Sequence, residues 1–124
     1  MKLLLDTHAA LWLLTGDERL GENALRQLTD DTNQVLLSAA VVWEIAIKRA
    51  LGKLTVPDEY LALLFDAGVQ PLPVSVVHAA GVADLPPHHR DPFDRMLVSQ
   101  ARAEGAALVS RDEALAPYDV PLIW

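Results

Sequence analysis

The chain has 124 residues, with 10 Lys+Arg, 17 Asp+Glu, no cysteine and a net charge of −7. With 52% hydrophobic and 22% charged residues, the composition is that of a globular chain, long enough for one domain with its own core and too short for a second. The lack of cysteine excludes disulfide frameworks, thiolate zinc sites and cysteine nucleophiles, and the acidic balance argues against a module that grips nucleic acid by bulk charge alone.

Met1-Lys2-Leu3-Leu4-Leu5 begins like a signal peptide, but Asp6 ends the apolar run too early for one. Lys2–Leu5 instead reads as a strand buried on both faces of a parallel sheet, because it is apolar without alternation. A helix over Ala9–Leu14 follows and breaks at Gly16-Asp17, and a second is expected over Gly21–Thr29. Val35-Leu36-Leu37 is a second buried strand. Ser38 is placed to cap the helix Ala39–Leu51, which Gly52 stops. The apolar run Leu36–Trp43 falls far short of the roughly 20 residues a membrane span needs.

A helix near Asp58–Ala67 leads to a strand around Val69–Leu72, and Pro73 and Ser75 open a short helix through Val82. After a polar loop, Pro86-Pro87-His88-His89-Arg90, Asp91-Pro92 starts a helix that Gly105 closes. Ala107–Val109 is a further strand, and Val120–Ile123 adds a last one at an edge. Strands alternating with helices predict an α/β fold, a single compact three-layer α/β/α sandwich over residues 1–124 with a mostly parallel sheet. The expectation is a soluble, cytoplasmic protein with no membrane segment.

Open parallel sheets bind ligands beyond the carboxyl ends of their strands, and acids recur there. Asp6 directly follows the first strand, and Asp112 lies two residues beyond Ser110, where the Ala107 strand runs out. Glu44 lies two turns into the helix after the second strand, and Asp91 and Asp94 share a face of their helix. Each acid has a local alternative. Asp6 and Asp112 fit caps as well as they fit a site, Asp91 fits an N-cap better than a site, and Glu44 can pair with Lys48. Yet Glu44 stands among Trp43, Ile45, Ala46 and Ile47, where a carboxylate needs a partner. Carboxylates that converge repel unless a cation neutralises them. All-oxygen ligation selects Mg²⁺ or Mn²⁺, the ions that activate water and stabilise charge in phosphodiester chemistry.

Four segments carry a resemblance. Lys2-Leu3-Leu4-Leu5-Asp6-Thr7-His8 resembles the opening of PIN-domain ribonucleases, specifically the VapC-type toxins of bacterial toxin–antitoxin pairs. Ser38 with Val42-Trp43-Glu44-Ile45-Ala46-Ile47-Lys48 and Gly52-Lys53-Leu54 is similar to their second motif. His89-Arg90-Asp91-Pro92-Phe93-Asp94-Arg95-Met96-Leu97-Val98 resembles the third, and Leu108-Val109-Ser110-Arg111-Asp112 the fourth. The resemblance implies a metal-dependent endoribonuclease, held inactive by a cognate antitoxin and often homodimeric. It makes Asp6, Glu44, Asp94 and Asp112 the catalytic and metal-binding quartet, with Asp91 a second candidate for the third place. Thr7 and Ser110 become supporting hydroxyls. Arg90, Arg95 and Lys48 lie near the acidic motifs in sequence and are candidate RNA contacts. His8, and His88 and His89 in their loop, read rather as locally satisfied or solvated. Trp12 fits either a partner-binding groove or the core. The competing readings are a Mg²⁺-binding phosphoryl-transfer or receiver-type signalling domain, which would want acids or a late lysine that are missing here, and a non-catalytic interaction module.

Overall fold

A computed structural model describes residues 1–124. Five strands, β1 (Lys2–Leu5), β2 (Gln34–Ser38), β3 (Gln70–Leu72), β4 (Ala107–Val109) and β5 (Leu122–Ile123), form one sheet in the order β3-β2-β1-β4-β5. Every pairing is parallel, the expected edge strand β5 included. The unalternating run Leu3-Leu4-Leu5 has zero exposure because β1 is the central strand and both of its faces are covered.

Six α-helices join the strands: α1 (Thr7–Thr15), α2 (Glu22–Leu28), α3 (Ala39–Ala50), α4 (Tyr60–Asp66), α5 (Val76–Gly81) and α6 (Pro92–Glu104). The sheet grows from β1 through β2 to β3, then reverses across β1 to β4 and β5. Right-handed crossovers therefore put α1 to α4 on one face and α5 and α6 on the other. Within the layers α1 packs on α3 and α4, and α5 on α6, while α3 and α6 also meet, with Trp43 edge-on to Phe93. The expected α/β/α sandwich is present.

Local chemistry sets the element ends. Ser38 accepts the Ala40 N–H and caps α3, and Ser75 forms a reciprocal capping box with His78 at the start of α5. Gly16 and Gly105 end α1 and α6 at φ 67° and 65°, a conformation in which a side chain is strained. The two edge strands are shorter than the sequence pattern suggests: β3 has three residues with Pro71 at its centre, and β5 has two, directly after Pro121. Two 3₁₀ turns, Val82–Asp84 and Glu113–Leu115, went unforeseen because three residues carry no periodicity. No helix is long and apolar enough to cross a membrane.

Candidate metal centre

The reversal of strand order between β1 and β4 opens a crevice at their carboxyl ends, the usual ligand position of an open parallel sheet. A cavity of about 150 Å³ is lined by Asp6, Thr7, His8, Glu44, Lys48, Asp91, Asp94 and Asp112, with no apolar residue among them. The four acids of the expected quartet and Asp91 thus meet in one place. They come from the end of β1, from α3, from the start of α6 and from the turn after β4.

Three of these acids also cap. Asp6 accepts the Ala9 N–H at 2.8 Å at the start of α1. Asp91 accepts the Phe93 and Asp94 N–H groups at 2.8 and 3.1 Å at the start of α6. Asp112 accepts the Ala114 N–H at 3.0 Å at the start of a 3₁₀ turn. Each cap uses Oδ1. Cap and site are therefore not alternatives. The chain turns from strand into helix at the crevice, and the cap carboxylate stands at the positive end of the helix it starts.

Glu44, 8% exposed, has both oxygens engaged. Oε1 accepts the Thr7 hydroxyl at 2.8 Å and Oε2 accepts Lys48 Nζ at 2.6 Å. This supplies the partner its apolar surroundings demand, and it places Lys48 in the cavity wall. Asp94 is the contrast: no hydrogen bond holds its carboxylate, and His89 Nε2 lies 3.4 Å from Oδ2. Burial pushes Asp94 up to about 7, with the Asp91, Asp6 and Glu44 charges pushing the same way and His89 pulling against them. Burial also raises Asp6, against the pull of the Ser110 hydroxyl and the Ala9 N–H. Asp112 lies below the ordinary carboxylate value. Its partial burial acts upward, and the hydrogen bonds from His89 and the Ala114 N–H outweigh it.

Ser110 is buried and its Oγ accepts the Asp112 N–H at 3.1 Å, so it shapes the turn that carries Asp112. Arg95 extends its guanidinium into its own loop. It donates to the carbonyls of Val82, Leu85, Pro86 and His89 and to the Tyr118 hydroxyl, at 3.1–3.4 Å. Arg90 borders an apolar groove that also holds Trp43 and Phe93. Trp12 is 6% exposed, stacked on His8 and edge-on to Trp124, with Arg19 and Arg111 over its ring; it is core and not a groove wall.

His89 is the residue that sequence reasoning missed. Taken as solvated loop, its side chain is only 17% exposed, and Nε2 lies 2.9 Å from Asp112 Oδ2. The one signal available was its position two residues before a capping Asp, where a ring nitrogen can fold back on the chain. Nδ1 does so, accepting the Asp91 N–H at 3.0 Å.

The donor set fits a hard divalent cation: carboxylates from several segments, no thiolate, and one acid, Asp94, that is half-buried and makes no hydrogen bond through its carboxylate. Fold and site define a doubly wound α/β domain with a cluster of acids at its switch point. The sequence matches the PIN domain family over residues 3–120, and the chain belongs to that family.

Solved structures agree on the fold. VapBC2 from Rickettsia felis bound to a DNA fragment from their promoter is 18% identical, with TM-score 0.72 over 98% of this chain and 97% of that one. DNA-bound VapBC from Salmonella typhimurium is 15% identical, with TM-score 0.71 over 98% and 96%. A toxin–antitoxin complex from Klebsiella pneumoniae is 17% identical, with TM-score 0.64 over 94% and 92%. No curated protein matches in sequence.

Proposed function

We propose that this PIN domain is a VapC-type toxin, a divalent-metal-dependent endoribonuclease restrained by a cognate antitoxin. The observation that carries the reading is the convergence of Asp6, Glu44, Asp91, Asp94 and Asp112 on one polar cavity at the switch point. Membership of the PIN family sets aside the phosphoryl-transfer and receiver readings. Similar folds include those of toxin–antitoxin complexes, which supports an antitoxin as partner.

Asp6, Glu44, Asp94 and Asp112 would hold Mg²⁺ or Mn²⁺, with Asp91 Oδ2 as a further oxygen beside them. The ion supplies the charge that activates water and stabilises a phosphodiester's developing charge. The chain's own groups prepare the place. Thr7 and Lys48 fix the Glu44 carboxylate, the three caps fix Asp6, Asp91 and Asp112, and burial keeps Asp94 poised to exchange a proton for a cation. Lys48 in the cavity wall, and Arg90, adjacent to Asp91 in the chain, would be the cations that meet an RNA backbone. A basic side chain of the antitoxin would compete for the same carboxylates. A homodimer is the expected assembly, and exposed Trp43 on α3 and Val76 and Val77 on α5 offer it apolar surface.

The test is cleavage of a pool of cellular RNAs. Internal cuts are expected in Mg²⁺ or Mn²⁺, none in chelator and none with folded Asp94→Asn. Cleavage that persists in chelator refutes the reading. Unimpaired growth under high expression of intact protein refutes the toxin role while leaving the nuclease.

A further inference from the structure

We propose that His89 is a positioning residue of the acidic centre, a hydrogen-bond donor that holds the Asp112 carboxylate beside Asp94 and does not itself ligate the ion. The inference rests on the reading of the cavity as a divalent-ion site and adds a member to it. Nε2 of His89 and carboxylate oxygens of Asp94 and Asp112 all lie within 4.8 Å of one another, a spacing that by itself suits a three-ligand site. The other ring nitrogen decides between the two roles. Nδ1 accepts the Asp91 N–H at 3.0 Å, and a neutral imidazole carries one proton, so that proton is on Nε2. Ligation through Nε2 would move it to Nδ1, against the Asp91 N–H.

The ring is held for this task. The His89 N–H donates to Tyr118 Oη at 3.0 Å, its carbonyl accepts Arg95 Nη1 at 3.4 Å, and Tyr118 is itself buried. Backbone and ring are thus anchored at three points before Nε2–H reaches Asp112 Oδ2 at 2.9 Å. Asp112 then has one oxygen on the Ala114 N–H and the other on His89, and its carboxylate plane is fixed. Glu44 is fixed the same way by Thr7 and Lys48. Asp94 Oδ2 lies 3.4 Å from the same Nε2, and its carboxylate accepts no hydrogen bond.

Partners that orient ligating groups typically contribute 10- to 100-fold in metal affinity. His89→Ala is therefore expected to weaken Mg²⁺ binding, measured by calorimetry, by about 10- to 100-fold. His89→Gln, whose amide again offers a donor, should recover most of that affinity. Melting curves in chelator show whether either variant has lost its fold. In the whole protein, ¹⁵N spectra of the ring should show Nε2 protonated and Nδ1 bare, both before and after Mg²⁺ is added. A bare Nε2 in the presence of Mg²⁺ makes His89 a ligand and overturns the proposal, as does unchanged Mg²⁺ affinity in folded His89→Ala. Should the wild type take up no divalent ion, the nuclease reading falls with the metal part of this one. The spectrum of the metal-free protein still decides whether His89 is the donor.

Discussion

Asp94→Asn is expected to stabilise the metal-free protein, and to do so in a pH-dependent way. The Asp94 carboxyl is raised from 3.8 to about 7 by its burial and the acids around it. Between those values the folded chain keeps a proton that the unfolded chain has released. Stability is therefore highest near the lower value and is lost as pH rises through the higher one. At about 1.4 kcal/mol for each tenfold change in proton affinity, a rise from 3.8 to about 7 corresponds to about 4 kcal/mol at most. The side chain is 25% exposed, and solvent screening brings the expected loss to about 2–3 kcal/mol. Asparagine mimics the neutral acid, so the variant should escape most of this loss and keep only the weaker slope, of the same sign, that Asp6 contributes. Urea unfolding followed by tryptophan fluorescence, in chelator at about pH 5 and about pH 8, measures it. With a slope near 2 kcal/mol per molar urea, the variant's midpoint at the higher pH should exceed the wild type's by about 1 M or more. Millimolar Mg²⁺ should close that gap by stabilising the wild type alone. Equal midpoints at both pH values, or a wild type more stable at the higher pH, would refute the reasoning.

Two further substitutions separate structural from chemical roles. Arg95→Ala should cost about 2–3 kcal/mol in urea unfolding, since it strips a charged donor from five acceptors around the loop. Arg95→Lys should recover little of this, because an ammonium cannot reproduce the guanidinium fork. Asp91→Asn should keep the α6 cap and its stability, whereas Asp91→Ala should lose about 1 kcal/mol. Weaker Mg²⁺ binding in Asp91→Asn at wild-type stability would place Asp91 among the ligands.

Strands β1, β2 and β4 were legible because a parallel sheet covered on both faces leaves a plain mark, apolar runs without alternation followed by a polar residue. Asp6 after Leu5 and Ser110-Arg111-Asp112 after Val109 announced the crevice for that reason. What stayed hidden depends on side-chain direction. Lys48 pairs with Glu44 as the helical spacing allows, but only the Thr7 contact shows that both carboxylate oxygens are engaged. His89 looked like loop because its placement depends on a fold-back to the Asp91 N–H, which no periodicity encodes. Arg95 lies next to Asp94 in sequence, yet its guanidinium goes to the carbonyls of a loop that begins thirteen residues earlier.

The two edges of the sheet limit how this molecule can meet others. An exposed strand invites another chain to extend the ladder, and that route needs a run of free backbone donors and acceptors. Here one edge is three residues long with a proline, and so no N–H, at its middle; the other is two residues long and begins after a proline. Neither offers a template on which a partner strand could zip. Recognition is left to side chains on the helices and to the mouth of the crevice. A partner must therefore be selected by surface shape and charge, and polymerisation by strand addition is closed to the folded chain.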